Sequence, residues 1–386
     1  MSSFALLGQG ENAIKYNNYY IGKKKTPAIY ASFLLIIAGI IIVTGLSYLL
    51  LKTEALPIPY SPTITAAILS ITALKTIQLY ISEVIKGKKL PIKSALSNGT
   101  VSIAITIITI WLIYFSQNQE ILTIYNVVLP YIFAIVISIL IFVFCAKPIK
   151  PQLSEVTLKQ LTGNSLYFWI TSCMYLLYSK FDLWLVGYLE PPENVAIYAA
   201  TIQLVFTITI LLSVIQALLP AKIVEYHSQG KLKKLENEIQ GMTTFAAIPG
   251  ITILLVLITY SDIILTTLYT PEYVKYSSAL TILCIGQIVN LCCGPCGLIL
   301  NLCDHHRLTL LITSLSMILA LTFSFPLYSL LSINGIALAF SIGQIFQNIC
   351  ITYHVKKKLN INPIVNIKIL TTSSLIKKKV NNANNM

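Results

Sequence analysis

About ten stretches of roughly 20 predominantly apolar residues follow one another along the chain, separated by short polar or proline-containing connections. A helix rises 1.5 Å per residue, so about 20 apolar residues carry it across the ~30 Å hydrocarbon core of a bilayer. The stretches are residues 28–51, 62–85, 94–115, 121–145, 165–189, 195–219, 241–264, 278–303, 308–330 and 334–355. Pro62, Pro130, Pro249, Pro295 and Pro326 mark entries or kinks, which membrane helices tolerate when neighbours re-satisfy the freed carbonyls. The pattern predicts an all-α polytopic membrane protein with two bundles, four helices over 28–145 and six over 165–355. A segment 1–27, a linker 146–164 and a tail 356–386 flank them. Residues 2–8 read as the stub of a further helix.

Composition agrees and charge adds direction. The 386 residues are 56% hydrophobic and 11% charged, with a mean hydropathy of +0.77; a soluble domain is about 25% charged. All cations but Arg307 are lysines, and the net charge is +13. The simplest cause of so many Ile, Asn and Lys is a low-GC, bacterial genome. A basic soluble protein would point to nucleic acid, but here 23 of the 27 cations fall in alternate connections, with Lys52 and Lys275 on the opposite side and Lys75 and Lys180 inside spans. Nucleic acid is therefore not an expected partner. The positive-inside rule places both termini, the linker and the Lys/Asn-rich tail in the cytoplasm, the tail mobile. An even number of spans agrees. Residues 1–27 lack the apolar core of a cleavable signal peptide.

Several chemistries are excluded. The eight cysteines lie within or at the ends of apolar stretches, where they read as small buried hydrophobes. Cys293-Gly294-Pro295-Cys296 has thioredoxin-type spacing, but no strand precedes it and no βαβ pattern surrounds it. Asp304-His305-His306 has no further metal ligands nearby. No phosphate-binding glycine loop or nucleophile–base set is present. The chain is expected to be no enzyme, to carry no cofactor and to bind no metal.

What remains is charge inside the membrane. Lys180-Phe181-Asp182 interrupts an apolar and aromatic span just before the turn Glu190-Pro191-Pro192-Glu193. Each such charge costs about 2.5–3.5 kcal/mol on insertion scales and is usually kept for function. Residues i and i+2 do not share a helix face, so the two do not form a local ion pair. Tyr175, Tyr178 and Ser179 lie on the Asp182 side. Lys75 lies mid-span with Thr72, Gln78 and Ser82 at helical spacing, too far from either interface to snorkel. Asn98 falls in a polar stripe with Ser94, Ser102, Thr106 and Thr109, and Gln203 is a polar group that could partner Lys180 and Asp182 across the bundle. Each of these also has a structural reading, since small and amide residues are the usual glue between membrane helices.

A family resemblance rests on particular residues. Asn164 to Leu204, with Lys180-x-Asp182, Gly187, the short turn, Tyr198 and Ala199-Ala200, resembles the seventh and eighth helices of polysaccharide flippases. These export lipid-linked oligosaccharides and belong to the multidrug/oligosaccharidyl-lipid/polysaccharide exporter superfamily. Ile285-Gly286-Gln287, Asn290, Gly294 and Gly297 are similar to their tenth helix. That family has two six-helix bundles, so the resemblance implies that the first two helices are absent here. It further implies translocation of a lipid-linked oligosaccharide across a bacterial inner membrane for O-antigen or other cell-surface polysaccharide. By the same resemblance, Lys75 and Lys180 would hold a pyrophosphate. Asp182 would orient it or carry a proton, and Gln203 and Asn98 would meet sugar hydroxyls. Expected partners are the lipid-linked oligosaccharide, the bilayer, and a polysaccharide polymerase or glycosyltransferases. Two alternatives are a drug/cation antiporter of the same superfamily, with Asp182 as its cation or proton site, and an inactive truncated scaffold.

Overall fold

The computed structural model describes residues 2–10, 13–14, 29–52, 62–87, 90–116, 124–145 and 158–368. The fold is all-α, with no strand among the described residues. Among the described residues six helices are long and apolar enough to cross a membrane, and the shorter helices Val101–Ile113 and Val128–Phe142 are apolar as well. Each predicted span falls on one helix or on two consecutive ones, apart from residues 28 and 121–123, which lie outside the described residues. Large apolar side chains such as Ile41, Ile107, Phe133 and Phe245 are well exposed. A soluble surface rarely carries that much; a lipid-facing one does.

The chain folds as two compact units, Met1–Cys173 and Met174–Met386. In the first, α1 (Ser2–Ala5) packs on α2 (Ile29–Lys52) and α3 (Pro62–Gly87). The short α4 (Pro91–Ala95) runs through a π-helical turn, Leu96–Thr100, into α5 (Val101–Ser116), which packs on α6 (Ile124–Cys145). The first part of α7 (Leu158–Leu189) completes the unit. Chain near the start is anchored there: Trp169 Nε1 donates to Phe4 O at 2.9 Å and Gln9 Nε2 to Ser165 Oγ at 2.7 Å. The same unit holds a small core of Ala13, Ile36, Tyr80 and Val84.

The second unit holds the rest of α7, α8 (Pro192–Thr207), α9 (Thr209–Ser228), α10 (Leu232–Thr259), α11 (Ser261–Leu268), α12 (Ser277–Cys293), α13 (Cys296–Leu302), α14 (His306–Leu331) and α15 (Ile333–Leu359). Its largest interface joins α14 to α15, and α12 packs on α15, α10 and α8. The span predicted over 278–303 breaks between α12 and α13. Gly294 sits there at φ +67°, and a Cβ on it would come within 2.5 Å of Thr243 Oγ1. Only glycine takes this conformation and this approach without strain. Pro295 follows, with no N–H to donate. Cys296 N then bonds Gly294 O at 2.8 Å, whereas in a continuous helix it would bond Cys292 O.

The chain beyond α15 supplies the missing donor. Asn360 turns it in a left-handed conformation, and Val365 N donates to Cys292 O at 3.1 Å. Buried Gln240 donates through Nε2 to Asn362 O at 2.9 Å and accepts from Asn366 Nδ2 at 3.0 Å. Asn366 N donates to Thr244 Oγ1 at 2.9 Å. Leu359 and Ile361 are buried in the unit's core. The expected mobile tail from 356 is thus helix to Leu359 and a packed strap over 360–368; residues 369–386 lie outside the described residues.

Candidate functional site

Asp182 sits on α7, eight residues before Glu190 at the turn. Pro191 is extended at φ −65°, ψ 155° and starts α8 at once. So tight a reversal sets residue 182 opposite residue 198, eight residues after Glu190. The structure shows that pairing: Tyr198 OH donates to Asp182 Oδ2 at 3.4 Å, and Leu183 N donates to Oδ1 at 2.8 Å. Asp182 is 6% exposed and Tyr198 0%. Around them Leu185, Val186, Ile197, Ile202, Ala337 and Phe340 form an apolar cluster. Tyr178 packs near Phe340 at 5.7 Å between ring centroids and donates to its carbonyl at 3.0 Å.

Among the described residues no salt bridge closes this site. Lys86–Glu83, Lys222–Glu238 and Lys233–Glu236 pair elsewhere, and Lys180 acts on Asp182 only as a nearby charge, without a salt bridge. Lys180, two residues earlier, is exposed, as its place on another face of α7 requires. Gln203 is also exposed and does not reach Asp182. The partner across the hairpin is Tyr198, which the sequence marks through the family resemblance and not as part of the site. The symmetry of 182 and 198 about Glu190 is the signal that would have found it. A buried carboxylate with one hydroxyl donor, one backbone donor and no salt-bridged cation has acceptor lone pairs to spare. It can take up a proton or a small monovalent cation.

In the first unit, Lys75 is half-buried on α3 and donates to Gln78 Oε1 at 2.9 Å. Gln78 Nε2 donates to Ser138 Oγ at 3.0 Å and Ser102 Oγ at 3.3 Å. Ser102 Oγ donates in turn to Gly99 O at 2.9 Å. The side chain of Asn98 lies outside the described residues. The structure therefore brings Lys75 together with Gln78, Ser102 and Ser138, and Asp182 together with Tyr198. It does not join Lys180 or Gln203 to Asp182.

Other polar side chains pair with one another. In the second unit, Asn290 Nδ2 donates to Gln287 Oε1 at 3.0 Å, and Gln347 Nε2 to Thr313 Oγ1 at 2.9 Å. Cys293 and Cys296 are free and buried. No group of three His, Cys, Asp or Glu suited to a metal ion occurs among the described residues.

A protein-family model described as MatE matches residues 168–326, which contain Asp182 and Tyr198. A variant of the Vibrio cholerae MATE transporter VcmN shares the fold with a TM-score of 0.72 at 15% identity, over 93% of this chain and 86% of that one. A MATE structure in the bent conformation gives 0.71 at 12% identity, over 96% and 86%. An outward-facing multidrug resistance MATE family transporter of the MOP superfamily gives 0.68 at 12%, over 93% and 85%. No curated protein matches the chain in sequence. The likeness to the multidrug/oligosaccharidyl-lipid/polysaccharide exporter superfamily is thereby supported, while its polysaccharide-flippase branch is not. The expectation of a lipid-linked oligosaccharide flippase is corrected accordingly: the family model and the solved structures are those of MATE transporters. Of the two charges two residues apart on α7, Lys180 is exposed and Asp182 is the one enclosed in the apolar cluster.

Proposed function

We propose that this chain is a membrane transporter that exchanges a drug-like amphiphile for a monovalent cation, proton or sodium, bound at Asp182. The observation that carries the reading is a carboxylate buried on α7 with a tyrosine donor and no salt-bridged cation among the described residues, within the segment matched by the MatE model. Burying a charge without a counter-charge is costly, so such a group favours whatever cation reaches it. Antiport follows if the coupling cation and the substrate compete for the same carboxylate: binding one releases the other, and each gradient can drive the other's movement. Tyr198 holds one carboxylate oxygen and leaves the second turned toward its own backbone, which fixes the group's direction.

By this reading the protein is no enzyme and its working partner is the bilayer, a bacterial inner membrane with both termini on the cytoplasmic side. The test is uptake of a fluorescent cationic dye into inverted membrane vesicles under an imposed proton or sodium gradient. Wild-type vesicles are expected to accumulate dye only with the gradient. Asp182→Asn is expected to lower gradient-driven uptake at least tenfold at equal protein abundance. Undiminished gradient-driven uptake by Asp182→Asn would remove Asp182 from the mechanism.

A further inference from the structure

The exchange proposed at Asp182 leaves Lys75 unused, and Lys75 is a built feature of the first unit. It lies 13 residues after Pro62 and 12 before Gly87, about 18 Å along the helix from the nearer end. Its stem cannot carry the ammonium from there to an interface. An ammonium has three donors, and the described residues supply one acceptor, Gln78 Oε1. That acceptor is held in place: the two serine hydroxyls take the NH2 side of the Gln78 amide and so turn its oxygen toward Lys75. Glu83, the acid on the same helix, pairs instead with Lys86 at 2.7 Å.

The backbone also makes room. Gly99 interrupts the helix in the π-helical turn at φ +121°, and a Cβ there would lie 2.7 Å from Lys75 Nζ. Any other residue would both strain the backbone and crowd the ammonium. The first unit thus places a positive charge at mid-span, orients one neutral acceptor on it and leaves no carboxylate paired with it among the described residues. The side chain is only half-buried, so its remaining donors are reachable.

We infer that Lys75 receives the negative group of a transported molecule, so that the chain takes zwitterionic amphiphiles bearing a carboxylate as well as simple cations. This rests on the reading of the chain as an exporter of amphiphiles. A lysine meets a carboxylate as a point charge, and with no counter-ion paired to it among the described residues that charge is attractive to an anionic group of a ligand. A structural lysine that merely ties α3 to the π-helical turn would make the same hydrogen bond to Gln78 and would show no preference between ligands.

The test uses the purified full chain in detergent and two dyes on one ring system: rhodamine 110, which carries a carboxylate, and rhodamine 123, its methyl ester. Binding is read by fluorescence anisotropy. The wild type is expected to bind the acid at least threefold more tightly than the ester. Lys75→Gln is expected to weaken acid binding tenfold or more while the ester stays within twofold, and Lys75→Arg to keep most of the preference. Equal weakening of both dyes by Lys75→Gln, or no change in either, overturns the proposal. If the Gln variant does not fold, the wild-type ratio decides alone: no preference for the acid, or no binding of either dye, overturns it. Asp182→Asn separates this inference from the exchange reading. Gradient-driven transport that survives in Asp182→Asn, with the acid preference intact, refutes coupling at Asp182 and leaves the Lys75 site standing.

Discussion

A carboxylate kept for coupling is expected to be a burden on the fold. Asp182 is enclosed by apolar side chains with one tyrosine and one amide for company, and removing a poorly compensated buried charge is often neutral or stabilising. Asp182→Asn should therefore leave the thermal unfolding midpoint in detergent unchanged or a few degrees higher while coupling is lost; a drop of several degrees would mark a structural role. Tyr198→Phe removes a hydrogen bond to a charged group, worth about 1.5–3 kcal/mol, and should shift the apparent affinity for the coupling cation by roughly ten-fold or more, read from the cation dependence of dye uptake. Lys75 and Asp182 were visible in the sequence because a charge within an apolar run has no ordinary reason to be there. Which of Lys180 and Asp182 faces the interior was not visible: two residues apart on α7, either assignment suits the pattern, and only neighbours from α8 and α15 decide it. Gly99 was missed because a positive φ and a π-helical turn leave no mark on hydropathy.

At the scale of elements, the broken span between α12 and α13 and the strap over 360–368 form one device. The break leaves Cys292 O without its helical donor, and Val365 N fills the vacancy. Gly294→Ala should destabilise the second unit by about 1–3 kcal/mol, since the new methyl meets Thr243 and the backbone sits at φ +67°. Asn366→Ala leaves the Oε1 of buried Gln240 without that donor, a loss of about 1–3 kcal/mol. Both are measured by thermal unfolding in detergent, and unchanged midpoints would mean that the strap is not a stabilising part of the unit. The helix break was legible from Pro295 alone. The strap was not, because Asn360, Asn362, Asn366 and Lys368 read as a polar tail, and its packing depends on Gln240 and Thr244, far earlier in the chain. The spans were the most legible elements, since their length and apolarity are set by the bilayer and not by any partner.

For the molecule as a whole, the alternation of lysine-rich and lysine-poor connections predicts an orientation in the membrane. With both termini cytoplasmic, Glu193→Cys at the α7–α8 turn should react with an impermeant thiol reagent in intact cells and Lys233→Cys should not. These measurements are made against a background without the native cysteines, and the reverse labelling would invert the topology. Composition and span pattern carried the fold class, and the superfamily resemblance came through the α7–α8 hairpin. The branch of that superfamily did not, because hydropathy shows that two lysines and a carboxylate are intramembrane but not which of them the fold encloses. The central claim is that one carboxylate, Asp182, serves coupling cation and substrate in turn. Its most direct test is the affinity of the purified protein for a cationic dye, titrated at a series of proton and sodium concentrations. Competition at Asp182 predicts that the apparent Kd rises in proportion to the coupling cation above its own affinity, and that the dependence vanishes in Asp182→Asn. An apparent Kd indifferent to both cations in the wild type, or the same dependence retained in Asp182→Asn, would contradict the account.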